Sequence, residues 1–395
     1  MIVGIVAFVV VLLASVMIHE AGHFATARAF GMKATEFFVG FGPTLWSRRR
    51  GETEYGVKAI PAGGFVKIVG MTDLEEIDPA DEPRAFYRQP AWQRAIVLAA
   101  GSFMHFVIAF VLLVFVFAAL GTPTTTTTIA RVAPCIPTDP EASACSSADP
   151  ESPALGAGLQ AGDTVVTYDG ETIEDWEQLQ AAIRASGGRQ VDIVVERDGE
   201  QETVTLTPVV TERDGEQIGL VGLTPQIAAQ RQGPLEAIGT SVTEVGNLTT
   251  ATFQGLAAIP AAIPALLNST FGAEERSIDG LVGPVGIARI SGEVVEGESP
   301  LALRIGSFLA IMAGINVFVG IFNLLPLLPL DGGHLAVLGF ERARAGVYRL
   351  LGRPDPGRVD LTRLLPAAYL VIALFIGLSV LLLVADVLNP VSLPL

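Results

Sequence analysis

From Met1 to Ile18 the chain carries no charged side chain, and this apolar run then meets His19-Glu20-Ala21-Gly22-His23 before any polar break. Residues 2 to 29 wound as one helix would measure about 40 Å at 1.5 Å per residue, enough to cross a bilayer and run on into its interface. Only a helix or a closed barrel satisfies its own backbone in hydrocarbon, so a lone apolar run of this length is read as a helix. Ionisable groups in such a span are costly to bury and mark chemistry rather than packing. On a helix, positions i and i+4 share a face, so His19 and His23 can offer two nitrogens to one metal ion while Glu20 stands beside them to move protons. The HExxH pattern is weak as five residues; its setting in a membrane-length span gives it weight.

Half of the 395 residues are hydrophobic, which places the chain among membrane proteins. The net charge of -16 is unevenly spread: residues 121 to 300 hold 26 Asp and Glu against 8 Lys and Arg, and the remainder is close to neutral. No basic face is available to meet nucleic-acid phosphates, so that class of partner is excluded. The only cysteines, Cys135 and Cys145, both fall in the acidic segment. They form a possible disulfide if that segment lies outside the cytosol, and are otherwise free.

The expected fold is a polytopic α-helical membrane protein with about four transmembrane helices, a β-hairpin or sheet at the membrane surface, and an inserted extracytoplasmic α+β domain. Residues 1–30 form the first span, and Arg28, Lys33 and Arg48-Arg49-Arg50 follow it. By the positive-inside rule the N-terminus is outside and the histidines sit near the cytoplasmic side of the cell membrane. A cleavable signal peptide is the poorer reading, because no basic n-region and no A-x-A-like site precede the histidines.

Residues 31–91 form a cytoplasmic membrane-associated β region and linker, with strands at 36–39, 55–60 and 65–69. The stretch Gly63-Gly64-Phe65 lets another backbone approach and can act as an edge that captures an extended peptide. Residues 92–120 form the second span and contain a lone His105, a third metal ligand or a hydrogen-bonded group between helices.

Residues 121–226 have the shape of a PDZ-like domain: a turn at 155–163, a short strand pair, a helix from Trp176 to Ala185, and strands at 191–197 and 202–207. Gly219 and Leu220 would receive a peptide's end there. Residues 227–300 read as an extracytoplasmic linker with an amphipathic segment, broken by Pro260 and Pro264 and too polar for a confident span. Residues 301–334 are the third span, ending in the stretch from Asn323 to His334. Residues 335–363 form a cytoplasmic loop, with six arginines from Arg342 to Arg363, and 364–388 the fourth span.

Spans one and three both carry their polar motif at the cytoplasmic end, so the motifs can meet. Catalytic zinc takes three protein ligands and leaves one position open. Asp331 is the leading third ligand and His334, one turn on, its rival; Asp331-Gly332-Gly333 can equally be a helix-ending turn. One Zn2+ per chain would activate a water whose proton Glu20 takes.

With both motifs in view, the chain resembles the bacterial site-2 proteases, intramembrane zinc metalloproteases, over nearly its whole length. It is most similar to the actinobacterial type, with one PDZ-like domain, that regulates sigma-factor proteolysis. His19 to His23 match the first family motif, and Asn323, Pro326, Asp331 and Gly332 the second; Phe86 to Arg94 with Gly101, and Gly283-Pro284-Val285-Gly286, match further landmarks. The resemblance implies His19, His23 and Asp331 as ligands, Glu20 as acid/base, Asn323 as a substrate-positioning residue and a surface hairpin that presents substrate. It also implies transmembrane substrates, such as anti-sigma factors already trimmed outside the membrane. The alternative readings are a non-catalytic PDZ membrane scaffold and a zinc-handling membrane protein. A PDZ-like pocket can bind a peptide ligand or act as a size filter.

Overall fold

The computed structural model describes residues 2–71, 77–137, 145–146, 149–213, 216–272, 276, 280–297 and 299–391. In chain order the first elements are α1 (Ile2–Ala29), β1 (Ala34–Arg50), β2 (Thr53–Ile68), α2 (Ala91–Phe115), β3 (Thr122–Val132), α3 (Pro153–Gly156), β4 (Thr164–Tyr168) and β5 (Glu171–Thr172). They are followed by α4 (Trp176–Ala185), β6 (Val191–Arg197), β7 (Glu200–Leu206), β8 (Val209–Arg213), β9 (Glu216–Leu220) and β10 (Leu223–Gln230). The chain closes with α5 (Pro234–Phe271), α6 (Pro284–Glu296), α7 (Leu301–Asn323), α8 (Asp331–Leu350) and α9 (Leu365–Leu388). These form two compact units, one of residues 1–119, 232–298 and 304–395, the other of residues 120–231 with 299–303.

In the first unit, five helices among the described residues are long and apolar enough to cross a membrane: α1, α2 with its π-helical extension to Leu120, α5, α7 and α9. Apolar side chains gain little by leaving lipid for protein, so such helices associate through close van der Waals packing and small residues. At the α1–α2 crossing, a Cβ on Gly22 would come within 2.7 Å of the Ala100 carbonyl oxygen. Further along, Ala109 and Leu113 of α2 pack on Ala313, Val317 and Ile321 of α7, and Phe8 of α1 packs on Phe308 and Met312.

Within the segment expected as a linker with an amphipathic segment, Pro234–Phe271 form one continuous helix, α5, of 38 residues that runs through Pro260 and Pro264. Its polar residues do not prevent this, because their hydroxyls turn back onto their own helix: Ser241 donates to the Ala237 carbonyl, Thr249 to Val245, Thr252 to Leu248 and Thr270 to Leu266. Hydroxyls bonded at i−4 leave fewer unsatisfied groups on the helix surface, so polar residues of this kind are compatible with a long apolar helix. The loop expected over 335–363 is likewise helical as far as Leu350, since Asp331-Gly332-Gly333 opens α8 rather than ending α7.

The β region is more extended than the three short strands expected. Glu36–Val39 of β1 is a central strand, flanked by Glu54–Val57 on one side and by Gly64–Lys67 on the other. Pro61–Gly64 is therefore a bend inside β2 rather than a turn between strands.

In the second unit, β10, β3, β4, β6 and β7 lie side by side in that order, with β5 paired to β4, and β8 and β9 form a separate hairpin. Leu179 and Ile183 of α4 pack with Val165, Tyr168, Ile193 and Val195 of the sheet in one apolar core. The helix starts where Asp175 accepts a hydrogen bond from the Gln178 N–H, an N-cap that spares an orphan donor. Cys135 and Cys145 are joined by a disulfide, with Cα atoms 6.0 Å apart.

Candidate active site

The last third of α1 brings His19 and His23 onto the face that meets α2. The space they need is cleared by a missing side chain, because a Cβ on Gly101 would lie 2.2 Å from His23 Nε2. Both histidines are buried. His23 Nδ1 lies 2.6 Å from the Val97 carbonyl oxygen. A carbonyl only accepts, so Nδ1 carries the proton and the Nε2 lone pair is turned toward His19, whose Nε2 is 3.1 Å away.

Asp331, on the first turn of α8, completes the group. Its Oδ2 stands 3.4 Å from His19 Nε2 and 3.3 Å from His23 Nε2, yet is buried without a hydrogen bond. Two imidazole nitrogens and an orphaned carboxylate oxygen, all within 4.8 Å of one another, form a half-built coordination shell. Its donor set suits zinc. Among the described residues this is the only such group. His334, the rival third ligand, lies outside it and lines a separate cleft with Arg94 and Glu341.

Glu20 stands beside the ligands, with Oε1 4.0 Å from His19 Nε2. Its other oxygen, Oε2, accepts a hydrogen bond from the Val66 N–H at 3.0 Å. The carboxylate is thus aimed by the backbone of β2, the same strand that carries Gly63, Gly64 and Phe65. Gly64 is needed at that distance, since a Cβ there would come within 2.4 Å of the Met17 sulfur on α1. Phe65 stacks on Phe38 and Phe41 within the sheet.

Asn323 is the half-buried last residue of α7, and its side chain makes no hydrogen bond among the described residues. A second asparagine, Asn316, two helical turns earlier, was not singled out from the sequence. It is buried, and its Oδ1 lies 2.8 Å from His105 Nδ1 while its amide donates to the Met312 carbonyl. His105 therefore bridges α2 and α7, and its ring centroid is 5.0 Å from that of His19. An amide in the apolar middle of α7 was the available signal. The Val97 carbonyl and the Val66 N–H had none, being main-chain groups.

Gly219 and Leu220 belong to the other unit and are not part of this cluster. They pair with Val210 and Val209 of β8. A Cβ on Gly219 would lie 2.3 Å from the Ile183 carbonyl oxygen at the end of α4.

Residues 7–349 match Peptidase family M50. The chain belongs to that family. It is 37% identical over 405 residues to the zinc metalloprotease Rip1 of Mycobacterium tuberculosis, an alignment covering 99% of this chain and 98% of that one. The Rip1 of Mycolicibacterium smegmatis is likewise 37% identical, over 407 residues, with the same coverage. The putative zinc metalloprotease Atu1380 of Agrobacterium fabrum is 28% identical over 361 residues, covering 86% of each. Among solved structures, the PDZ domain of an SdrC-like protein of Listeria monocytogenes matches at a TM-score of 0.18 and 19% identity, covering 26% of this chain and 90% of that one. The protein is thus a zinc metalloprotease of the site-2 type and a membrane protein.

Proposed function

We propose that this M50 peptidase hydrolyses peptide bonds within the transmembrane segment of single-pass membrane proteins, with one zinc ion per chain held by His19, His23 and Asp331. The observation that carries this reading is the convergence of that triad with Glu20 at the end of a membrane-length helix. Zinc in that cluster would supply Lewis acidity toward a water and toward the scissile carbonyl.

The chain's own residues supply the rest. Glu20 takes a proton and returns it to the leaving amine, and the Val66 N–H keeps its carboxylate pointed at the cluster. A helical substrate resists attack because its carbonyls are already hydrogen-bonded, so it must be held extended. The Gly64–Lys67 strand has β1 on one side and no further strand on the other among the described residues, so a substrate backbone can add there. Asn323 offers a side-chain amide for the substrate main chain.

On the charge pattern, the N-terminus and the β-rich unit lie outside the cell membrane and the cluster lies toward the cytoplasm. The substrates are anti-sigma-factor-like proteins already shortened outside the membrane. The β-rich unit is PDZ-like and either binds their new end near Gly219 and Leu220 or excludes larger ones. The deciding experiment is cleavage of a model transmembrane peptide by purified protein and by Glu20→Gln. Cleavage by wild type that persists unchanged in Glu20→Gln sinks the assignment.

A further inference from the structure

The face of α2 that meets the ligands carries a third imidazole. Val97, Gly101 and His105 follow one another at one-turn intervals: the Val97 carbonyl accepts from His23 Nδ1, Gly101 makes room for both ligand rings, and His105 lies next in line against His19. His105 is 1% exposed, and a Cβ on Gly320 of α7 would stand 3.1 Å from its own Cβ, so α7 closes on it from the other side. Its tautomer follows from its partner. The Asn316 side-chain amide donates to the Met312 carbonyl, which turns its Oδ1 toward His105 Nδ1 at 2.8 Å. An amide oxygen only accepts, so Nδ1 carries the proton of the neutral ring and Nε2 keeps a lone pair. Among the described residues no hydrogen bond uses that lone pair.

His19 has the complementary deficit. With His23 donating from Nδ1 to Val97, the 3.1 Å contact between the two Nε2 atoms takes its proton from His19. His19 Nδ1 is then a second bare lone pair, buried and without a hydrogen bond. A metal at Nε2 reverses this. A neutral imidazole has one proton, so ligation through Nε2 leaves that proton on Nδ1, where it needs an acceptor. Besides His23, the ring packed against His19 is that of His105, centroid to centroid 5.0 Å with the planes tilted by 43°. A ring N–H reaching a ring nitrogen at about 3 Å sets two centroids about 5 Å apart, which is the spacing found.

We infer that His105 is a positioning residue of the metal centre, whose Nε2 accepts the Nδ1–H of His19 when that histidine ligates zinc. The inference rests on the reading of His19, His23 and Asp331 as zinc ligands. A continuous chain then runs from His19 through His105 and Asn316 to the Met312 carbonyl, so that α7 orients a ligand on α1 by way of α2, as the Val97 carbonyl orients His23. Such an outer bond fixes the tautomer and the ring plane of the ligand, and is worth about 10–100-fold in metal affinity.

The test measures the zinc dissociation constant of the full-length protein in detergent by competition with a chromogenic chelator. His105→Phe keeps the bulk of the ring and loses both nitrogens, and its zinc affinity falls about ten-fold or more. Two further variants separate positioning from packing, because an Asn amide reaches the place of Nδ1 and a Gln amide that of Nε2. His105→Asn keeps the bond to Asn316 and binds zinc as weakly as His105→Phe, whereas His105→Gln recovers to within a few-fold of wild type. Wild-type affinity in His105→Phe or His105→Asn overturns the inference, the latter leaving His105 a helix–helix contact only, as does a His105→Gln that binds no tighter than His105→Asn. If His105→Phe fails to fold, the Asn and Gln variants decide between them. Asp331→Asn run alongside tests the ligand reading beneath: zinc retained there overturns both, whereas zinc lost there with unchanged binding in the His105 variants overturns the inference alone.

Discussion

Two carboxylates in the helical unit, the half-buried Asp331 and the buried Asp386, have opposite surroundings. Asp386, near the end of α9, is saturated: Arg276 pairs with it at 3.0 Å, and the N–H groups of Gly283 and Gly286 donate at 3.3 and 2.7 Å. Those N–H groups are orphan donors at the start of α6, so Asp386 caps that helix as well as holding an ion pair. The other end of α6 is closed by Arg304 of α7, whose guanidinium donates to the Val295 carbonyl oxygen. Asp331 has two imidazoles within 3.4 Å but no hydrogen bond on its inward oxygen. A carboxylate with both oxygens engaged is a structural lock, whereas one left short beside two imidazole nitrogens is open to a cation. The Gly283-Pro284-Val285-Gly286 landmark finds its reason here, since a Cβ on Gly286 would stand 2.9 Å from Asp386 Oδ1.

The contrast can be broken by mutation. Asp331→Asn has the largest expected effect: zinc measured by plasma mass spectrometry falls from one per chain to near zero, and peptide cleavage is lost with it. The metal-free Asp331→Asn protein unfolds no more easily than metal-free wild type, because no satisfied contact has been removed. Asp386→Asn does the reverse, destabilising by about 3–5 kcal/mol as a buried pair loses one charge, with zinc content unchanged in the protein that folds. Zinc loss in Asp386→Asn at undiminished stability would dissolve the distinction. Gly286→Ala should reproduce a milder form of the same defect, about 1–3 kcal/mol from overpacking against the Asp386 carboxylate, read by denaturant unfolding in detergent.

Smaller effects sharpen the comparison. Asn316→Ala removes the bond that fixes His105 and is expected to cost about 1 kcal/mol while leaving zinc in place; a zinc-free Asn316→Ala would instead make that bond part of the metal site. In the β-rich unit, the Arg197 guanidinium holds the Asp163 carboxyl below the usual carboxylate range. A depressed folded-state pKa contributes stability above the unfolded value, near 4. That contribution is lost as pH falls through the folded value, so the unit's melting temperature should decline below about pH 4 in wild type and decline less in Asp163→Asn. Parallel acid profiles for the two proteins would remove this role from the pair.

Much of this was legible in the order of residues, for stated reasons. A span announces itself by length and by the absence of charge, and His19 and His23 are neighbours on any helix. The bounds of α4 and β6 coincide with the helix from Trp176 to Ala185 and the strand at 191–197 expected from the sequence. The length of α5 was not legible because its threonines look polar in a list, whereas their hydroxyls are bonded to their own backbone. The role of Gly283 and Gly286 was invisible for a different reason, since the group they make room for lies about a hundred residues later.

By itself, then, the sequence pointed to side chains with the chemistry for a metal site and put His19, Glu20 and His23 in an apolar helix. Local periodicity and the cost of charge in hydrocarbon act on neighbours in the chain. Tertiary structure alone decided that Asp331 rather than His334 meets the histidines, that Val97 sets the tautomer of His23, and that Val66 aims Glu20. Those choices depend on which backbone groups are brought within about 3 Å by helix packing and strand register, and main-chain donors and acceptors are the same in every residue but proline.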